Sequence, residues 1–89
     1  MKDEIVAVVA EYLDIDPSEL DETKTLDDLK IDSLDFIEIM FEIEEKFDAP
    51  VTAEIQEHRE NIGNFGDVLR ITEDLIVRHR ATEAAESGA

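Results

Sequence analysis

Ser33 is the residue of this sequence best placed to do chemistry. It stands in the run Asp32-Ser33-Leu34-Asp35, at the head of a stretch to Phe47 that contains no Gly or Pro. Asp32 is a good helix cap, so Ser33 falls at the first helical position. A helix start presents unpaired N–H groups and the positive end of the dipole, which suits a bound or covalent phosphate. A serine there is exposed and can be reached by a modifying enzyme. Taken alone the signal is small, because serine is common near helix starts and a three-residue Asp-Ser-Leu run recurs by chance.

Other reactive chemistry finds little support. The chain has no cysteine, which removes a thiol nucleophile, a thiolate metal site and a disulfide framework together. Its two histidines, His58 and His79, lie in no nucleophile or metal spacing, so no catalytic or metal residue is assigned and no enzyme activity is expected. His58 reads as a surface residue, and Arg78, His79 and Arg80 as partners for a helix C-terminus. Asp14-Ile-Asp-Pro-Ser-Glu starts like a calcium loop, but it lacks the central Gly, and Thr25 stands where the bidentate Glu belongs.

The elements that must position Ser33 are helical. Ile5, Val6, Val9, Tyr12 and Leu13 recur at three- and four-residue spacing, which predicts a first helix over 2–14. Asp16-Pro17-Ser18-Glu19 has the pattern of a capping box with Pro at the first helical position, and is expected to form a single turn. A long loop follows, with Leu20, Leu26, Leu29 and Ile31 as its anchors. The second helix is expected to start at Asp32 and run to Phe47, stopped by Ala49-Pro50. A short, mostly polar helix is expected over 52–60. After the turn residues of Asn61-Ile62-Gly63-Asn64, a last helix over 65–79 carries Phe65, Val68, Leu69, Thr72, Leu75 and Ile76 on one face. No stretch alternates as a strand does. The fold class is therefore all-α, a bundle of three main helices and one short helix with a long first loop. Its core should include Val9, Leu13, Phe36, Met40, Ile43, Phe47, Val68 and Leu75.

Along the second helix, Phe36, Ile39, Met40, Ile43 and Phe47 gather on one side at about 100° per residue. Asp35, Glu38, Glu42 and Glu45 gather roughly opposite. Leu34 and Phe41 fall outside the core stripe, beside the acidic one. Two large apolar side chains next to an acidic ridge fit a docking surface with hydrophobic anchors and a charged rim. Spacing equally allows the loop or the short helix to cover them.

Twenty-five acidic residues face eight Lys and Arg, a formal net charge of −17. Nucleic-acid binding depends on neutralising phosphates with basic side chains, so it is not expected, and neither is attraction to an anionic membrane. Disorder is excluded by the 43% of hydrophobic residues and by their patterning. Partners with basic patches are the ones such a surface would attract and orient. The N-terminal apolar run is short, amphipathic and acid-flanked, so it reads as neither secretion signal nor membrane span, and a cytoplasmic chain is expected.

The order is a leucine-bearing loop, then Asp-Ser-Leu-Asp, then an acidic amphipathic helix ending Glu44-Glu-Lys-Phe-Asp48. Together with the flanking helices it resembles the acyl carrier protein family over about residues 2–79. The resemblance implies that Ser33 accepts 4′-phosphopantetheine from coenzyme A, with Asp32 and Leu34 as flanking recognition residues. It implies an arm that carries acyl groups as thioesters, a phosphopantetheinyl transferase as one partner, and acyl-ACP synthase, ketosynthase or acyltransferase enzymes with basic patches as others. Asp35, Glu38, Glu42 and Glu45, with Leu34 and Phe41, would meet them. A monomer is expected, with residues 1–80 as the carrier domain and 81–89 as a disordered tail.

Two features depart from the family. Lys30 stands where the family usually has Gly, two residues before the Asp, and the span over 51–65 is a few residues longer than in carriers of primary fatty acid synthesis. The Ile31-Asp-Ser-Leu-Asp-Phe36 run is similar to specialised bacterial carriers, including those for very long chains of lipid A. A carrier-like adaptor without a prosthetic group, or a peptidyl carrier, remains the alternative.

Overall fold

Helix α1 (Lys2–Leu13) forms because Ile5, Val9 and Ala10 recur on one buried side, while Asp3 and Glu4 occupy the first turn, where the dipole favours negative charge. It stops at Asp14, whose left-handed backbone (φ 56°) a short Asp side chain tolerates. The computed structural model describes residues 1–87, with side chains as far as residue 81.

Between α1 and the next helix the chain is held by local hydrogen bonds. The expected capping box is present: Asp16 accepts the Ser18 N–H at 2.9 Å, and Glu19 accepts the Asp16 N–H at 3.0 Å. It encloses a single 3₁₀ turn, Pro17–Glu19. Leu20 and Ile31 are buried, while Leu26 and Leu29 pack half-buried against the core. Backbone bonds tie this loop to the start of the last helix, with the Phe65 N–H on the Lys24 carbonyl (2.8 Å) and the Gly66 N–H on the Glu22 carbonyl (2.9 Å). Glycine lets the backbones approach here, because a Cβ at residue 66 would lie 3.2 Å from the Glu22 carbonyl oxygen, a tight contact.

Helix α2 (Ser33–Phe47) buries Phe36, Ile39, Met40, Ile43 and Phe47 and ends at Asp48, again left-handed. Helix α3 is shorter than its sequence suggests, covering Thr52–Glu57, and the chain continues as a separate 3₁₀ turn, Arg59–Asn61. Helix α4 spans Phe65–Ser87. Its first turn is fixed by Asp67, which accepts the Gly63 N–H at 2.9 Å while Asn64 accepts the Asp67 N–H at 2.9 Å. The Gly63 N–H is the main cause that holds the Asp67 carboxyl below its ordinary pKa.

The core sits where α1, α2 and α4 meet and α3 closes one side. Ile5, Val9, Phe36, Met40, Ile43, Ile55, Phe65, Val68 and Ile76 are fully or almost fully buried there. Thr72 joins them, its hydroxyl buried without a hydrogen-bond partner. Two further expectations are corrected. Leu13 lies at the end of α1 and is only partly buried. Helix α4 does not end at His79, since no Gly or Pro follows until Gly88, so the residues read as its terminal cations lie inside it. Arg78 instead pairs with Asp74 at 2.9 Å, and Arg80 lies over the Phe47 ring with a nitrogen 3.5 Å from the Phe47 carbonyl oxygen. The 81–89 segment lies outside the described residues beyond Ser87, and its side chains beyond Ala81. No strand occurs among the described residues.

Candidate functional site

The site grows from the start of α2. The Asp32 carboxylate accepts the Asp35 N–H at 2.8 Å, and the Asp35 carboxylate faces the Asp32 N–H at 3.4 Å, a reciprocal box that fixes the first turn. Capping is thus done by Asp32, and the Ser33 side chain is not consumed by it. Ser33 is exposed. Its Oγ accepts a hydrogen bond from Nη2 of Arg59 at 3.3 Å, 26 residues further along the chain.

Arg59 is held on its other side by an aromatic ring. Its guanidinium carbon lies 5.3 Å from the centroid of Phe36, which is 2% exposed and therefore fixed by the core. The residue also borders a small cleft of about 180 Å³ lined by Thr25, Leu26, Asp27, Ile62 and Gly63. Sequence reasoning missed Arg59. The available signal was a single cation in a short segment otherwise bearing Glu54, Glu57 and Glu60.

Lys30, in the turn before the site, takes a left-handed backbone with φ 61°. Only glycine occupies that region without a steric cost, so a Cβ-bearing residue here is strained. The next residue, Ile31, returns to the core with its N–H on the Leu26 carbonyl at 2.9 Å.

Neither the loop nor α3 covers the two apolar side chains beside the acidic stripe. Leu34 is 66% exposed and Phe41 56%. Glu38, Glu42 and Glu45 are exposed, and Asp35 is half-buried. The acids are not all free, because the Tyr12 hydroxyl of α1 reaches Asp35 at 3.1 Å and also contacts Glu38. The bond to Glu38 comes first among the causes, followed by burial and the bond to Asp35, that push the Tyr12 pKa up. Glu42 and Glu45 line a groove with Val8, Glu11, Tyr12 and Lys46 between α1 and α2.

The family model described as "Phosphopantetheine attachment site" matches residues 3–69, which contain Ser33 and Arg59. A curated acyl carrier protein of Wolinella succinogenes is 40% identical over 72 residues, 80% of this chain and 91% of that protein. The chain belongs to the acyl carrier protein family. Further family members are similar: an acyl carrier protein of Helicobacter pylori is 38% identical over 73 residues (81% of this chain, 90% of the other), and one of a Sulfurovum species is 35% identical over 74 residues (82% and 95%). No solved structure gives a significant match.

As an acyl carrier protein the chain is a carrier rather than an enzyme, and its prosthetic group is 4′-phosphopantetheine, on which it carries acyl groups. Family membership implies a modifying transferase and biosynthetic enzymes as partners. Among the described residues no helix is long and apolar enough to cross a membrane.

Proposed function

We propose that Ser33 is the residue that bears the 4′-phosphopantetheine arm, within a carrier domain formed by residues 1–80. The observation that carries this reading is the Ser33 hydroxyl itself, exposed at the start of α2 and 3.3 Å from a guanidinium nitrogen. A phosphodiester is an anion, and the residues fit it: the positive end of a helix dipole and a guanidinium donor face the same oxygen. Ser18 offers a contrast, since its hydroxyl donates to the Asp16 carboxylate at 2.8 Å and is engaged in its own turn.

When attached, the group supplies a thiol at the end of a flexible arm, on which an acyl chain is held as a thioester. The chain's own residues present it. Asp32 fixes the first turn of α2, which sets the direction of the Ser33 side chain. Leu34, exposed one residue on, offers an apolar contact to the transferase, and Asp35, Glu38, Glu42 and Glu45 with Phe41 extend that surface. Partners with basic patches would be drawn to this side by the net charge of −17. They include a phosphopantetheinyl transferase and, by class, acyl-ACP synthases, ketosynthases and acyltransferases, met by a monomer in the cytoplasm.

Incubation with coenzyme A, magnesium and a broad-specificity transferase tests this reading. The wild-type chain should gain the mass of one arm, and Ser33→Ala none. A wild type left unmodified by several transferases would favour an adaptor without a prosthetic group.

A further inference from the structure

In a chain of net charge −17, Arg59 and Arg80 make no ion pair among the described residues and lie over aromatic rings instead, but only Arg59 reaches Ser33. Among the described residues, Arg70 pairs with Asp67 and Arg78 with Asp74, whereas Arg59 makes no ion pair. Its guanidinium rests over the buried Phe36 ring and gives its hydrogen bond to Ser33 Oγ. Phe36 is anchored in the core, so the cation's position is set by the fold and not by a mobile acidic neighbour.

We propose that Arg59 is a positioning residue for the arm, pairing with its phosphodiester. This inference rests on Ser33 being the attachment point. Esterification of Ser33 puts a phosphorus on Oγ, and the two non-bridging oxygens that share the negative charge lie one bond beyond it. The guanidinium already reaches Oγ, and its planar fork of donors matches two oxygens of one anion. Lysine would give the charge without the fork. The pair sits at an exposed site, so it orients the first segment of the arm and weakens with salt. Arg59 also borders the cleft lined by Leu26 and Ile62, so an arm held at this cation starts beside that cleft.

The test uses the full chain, loaded by a transferase and weighed first, as wild type, Arg59→Gln, Arg59→Lys and, as a control, Arg70→Gln. The readout is the ³¹P resonance of the attached phosphodiester, with circular dichroism to check folding. At low salt the resonance should shift in Arg59→Gln, shift less in Arg59→Lys, and stay at the wild-type position in Arg70→Gln. The difference should collapse near 1 M salt, where screening acts within roughly 3 Å. If Arg59→Gln does not fold, Arg59→Lys is read in the same way, since loss of the fork alone must move the line. A loaded, folded Arg59→Gln chain (or Arg59→Lys, where the Gln variant does not fold) whose resonance matches wild type at low salt overturns this inference and leaves the attachment reading intact. A wild-type chain that gains no mass overturns both.

Discussion

Tyr12 on α1 and Asp35 on α2 are joined by a hydrogen bond of 3.1 Å from the tyrosine hydroxyl to the carboxylate, with Glu38 as a second contact of the same hydroxyl. The contact ties the acidic ridge to the neighbouring helix one turn below Ser33, and it makes the ridge part of the bundle's packing as well as part of its surface.

This link predicts an alkaline weakness. The Tyr12 pKa is raised in the folded chain above its ordinary value of about 10. The unfolded chain therefore loses the proton first, and the stability Tyr12 contributes is complete below pH ~10 and lost as pH rises beyond it. Urea unfolding from pH 8 upward should show wild type losing stability above ~10 more steeply than Tyr12→Phe. Lys2, raised by its bond to Glu22, titrates in both chains, so the difference between the curves isolates Tyr12. Parallel curves would mean that the hydroxyl bridges nothing in solution.

Lys30 predicts a gain. Its φ of 61° costs a Cβ-bearing residue roughly 1–2 kcal/mol, while glycine loses about 0.5–1 kcal/mol through the freedom of the unfolded chain. Lys30→Gly should therefore raise stability by about 0.5–1 kcal/mol, measured by urea unfolding with an unchanged m-value. A lower midpoint would show that the lysine side chain makes a contribution larger than its backbone strain.

Much of the fold was legible because it is local. Capping boxes at Asp16 and Asp32 involve residues three apart, and the buried faces of α2 and α4 follow a helical period that any reader of the sequence can count. What escaped depends on tertiary placement. Arg59 lies 26 residues from Ser33, and nothing in the spacing brings them together. Tyr12 was legible as one of the inward-leaning residues of α1, but not as the partner of two acids on α2. The left-handed turn at Lys30 was hidden because the residue type that signals it, glycine, is absent. The exposure of Leu34 and Phe41 was undecidable until the loop and α3 were placed.

If partners read the exposed side of α2, charge and apolar contact should separate kinetically. Glu42 and Glu45 are suited to the charge test, because changing them spares the Tyr12 contact with Asp35 and Glu38. The double reversal Glu42→Lys, Glu45→Lys should slow association with the transferase about tenfold at low salt, with the deficit shrinking as screening rises. Leu34→Ala should weaken binding by about tenfold through faster dissociation, with little change in the salt slope. Stopped-flow binding on variants with wild-type circular dichroism decides it. Wild-type rates across the salt series would reduce this face to a solvated surface.

The central claim is that one hydroxyl of the chain bears the arm. Its serines are Ser18, Ser33 and Ser87, so locating the modification by fragmentation mass spectrometry on transferase-treated full-length chain tests it most directly. The account predicts the whole added mass on Ser33, with Ser18 unmodified because its hydroxyl is bound to Asp16. An arm found on Ser18 or Ser87, or a Ser33→Ala chain that still gains it, would contradict the account.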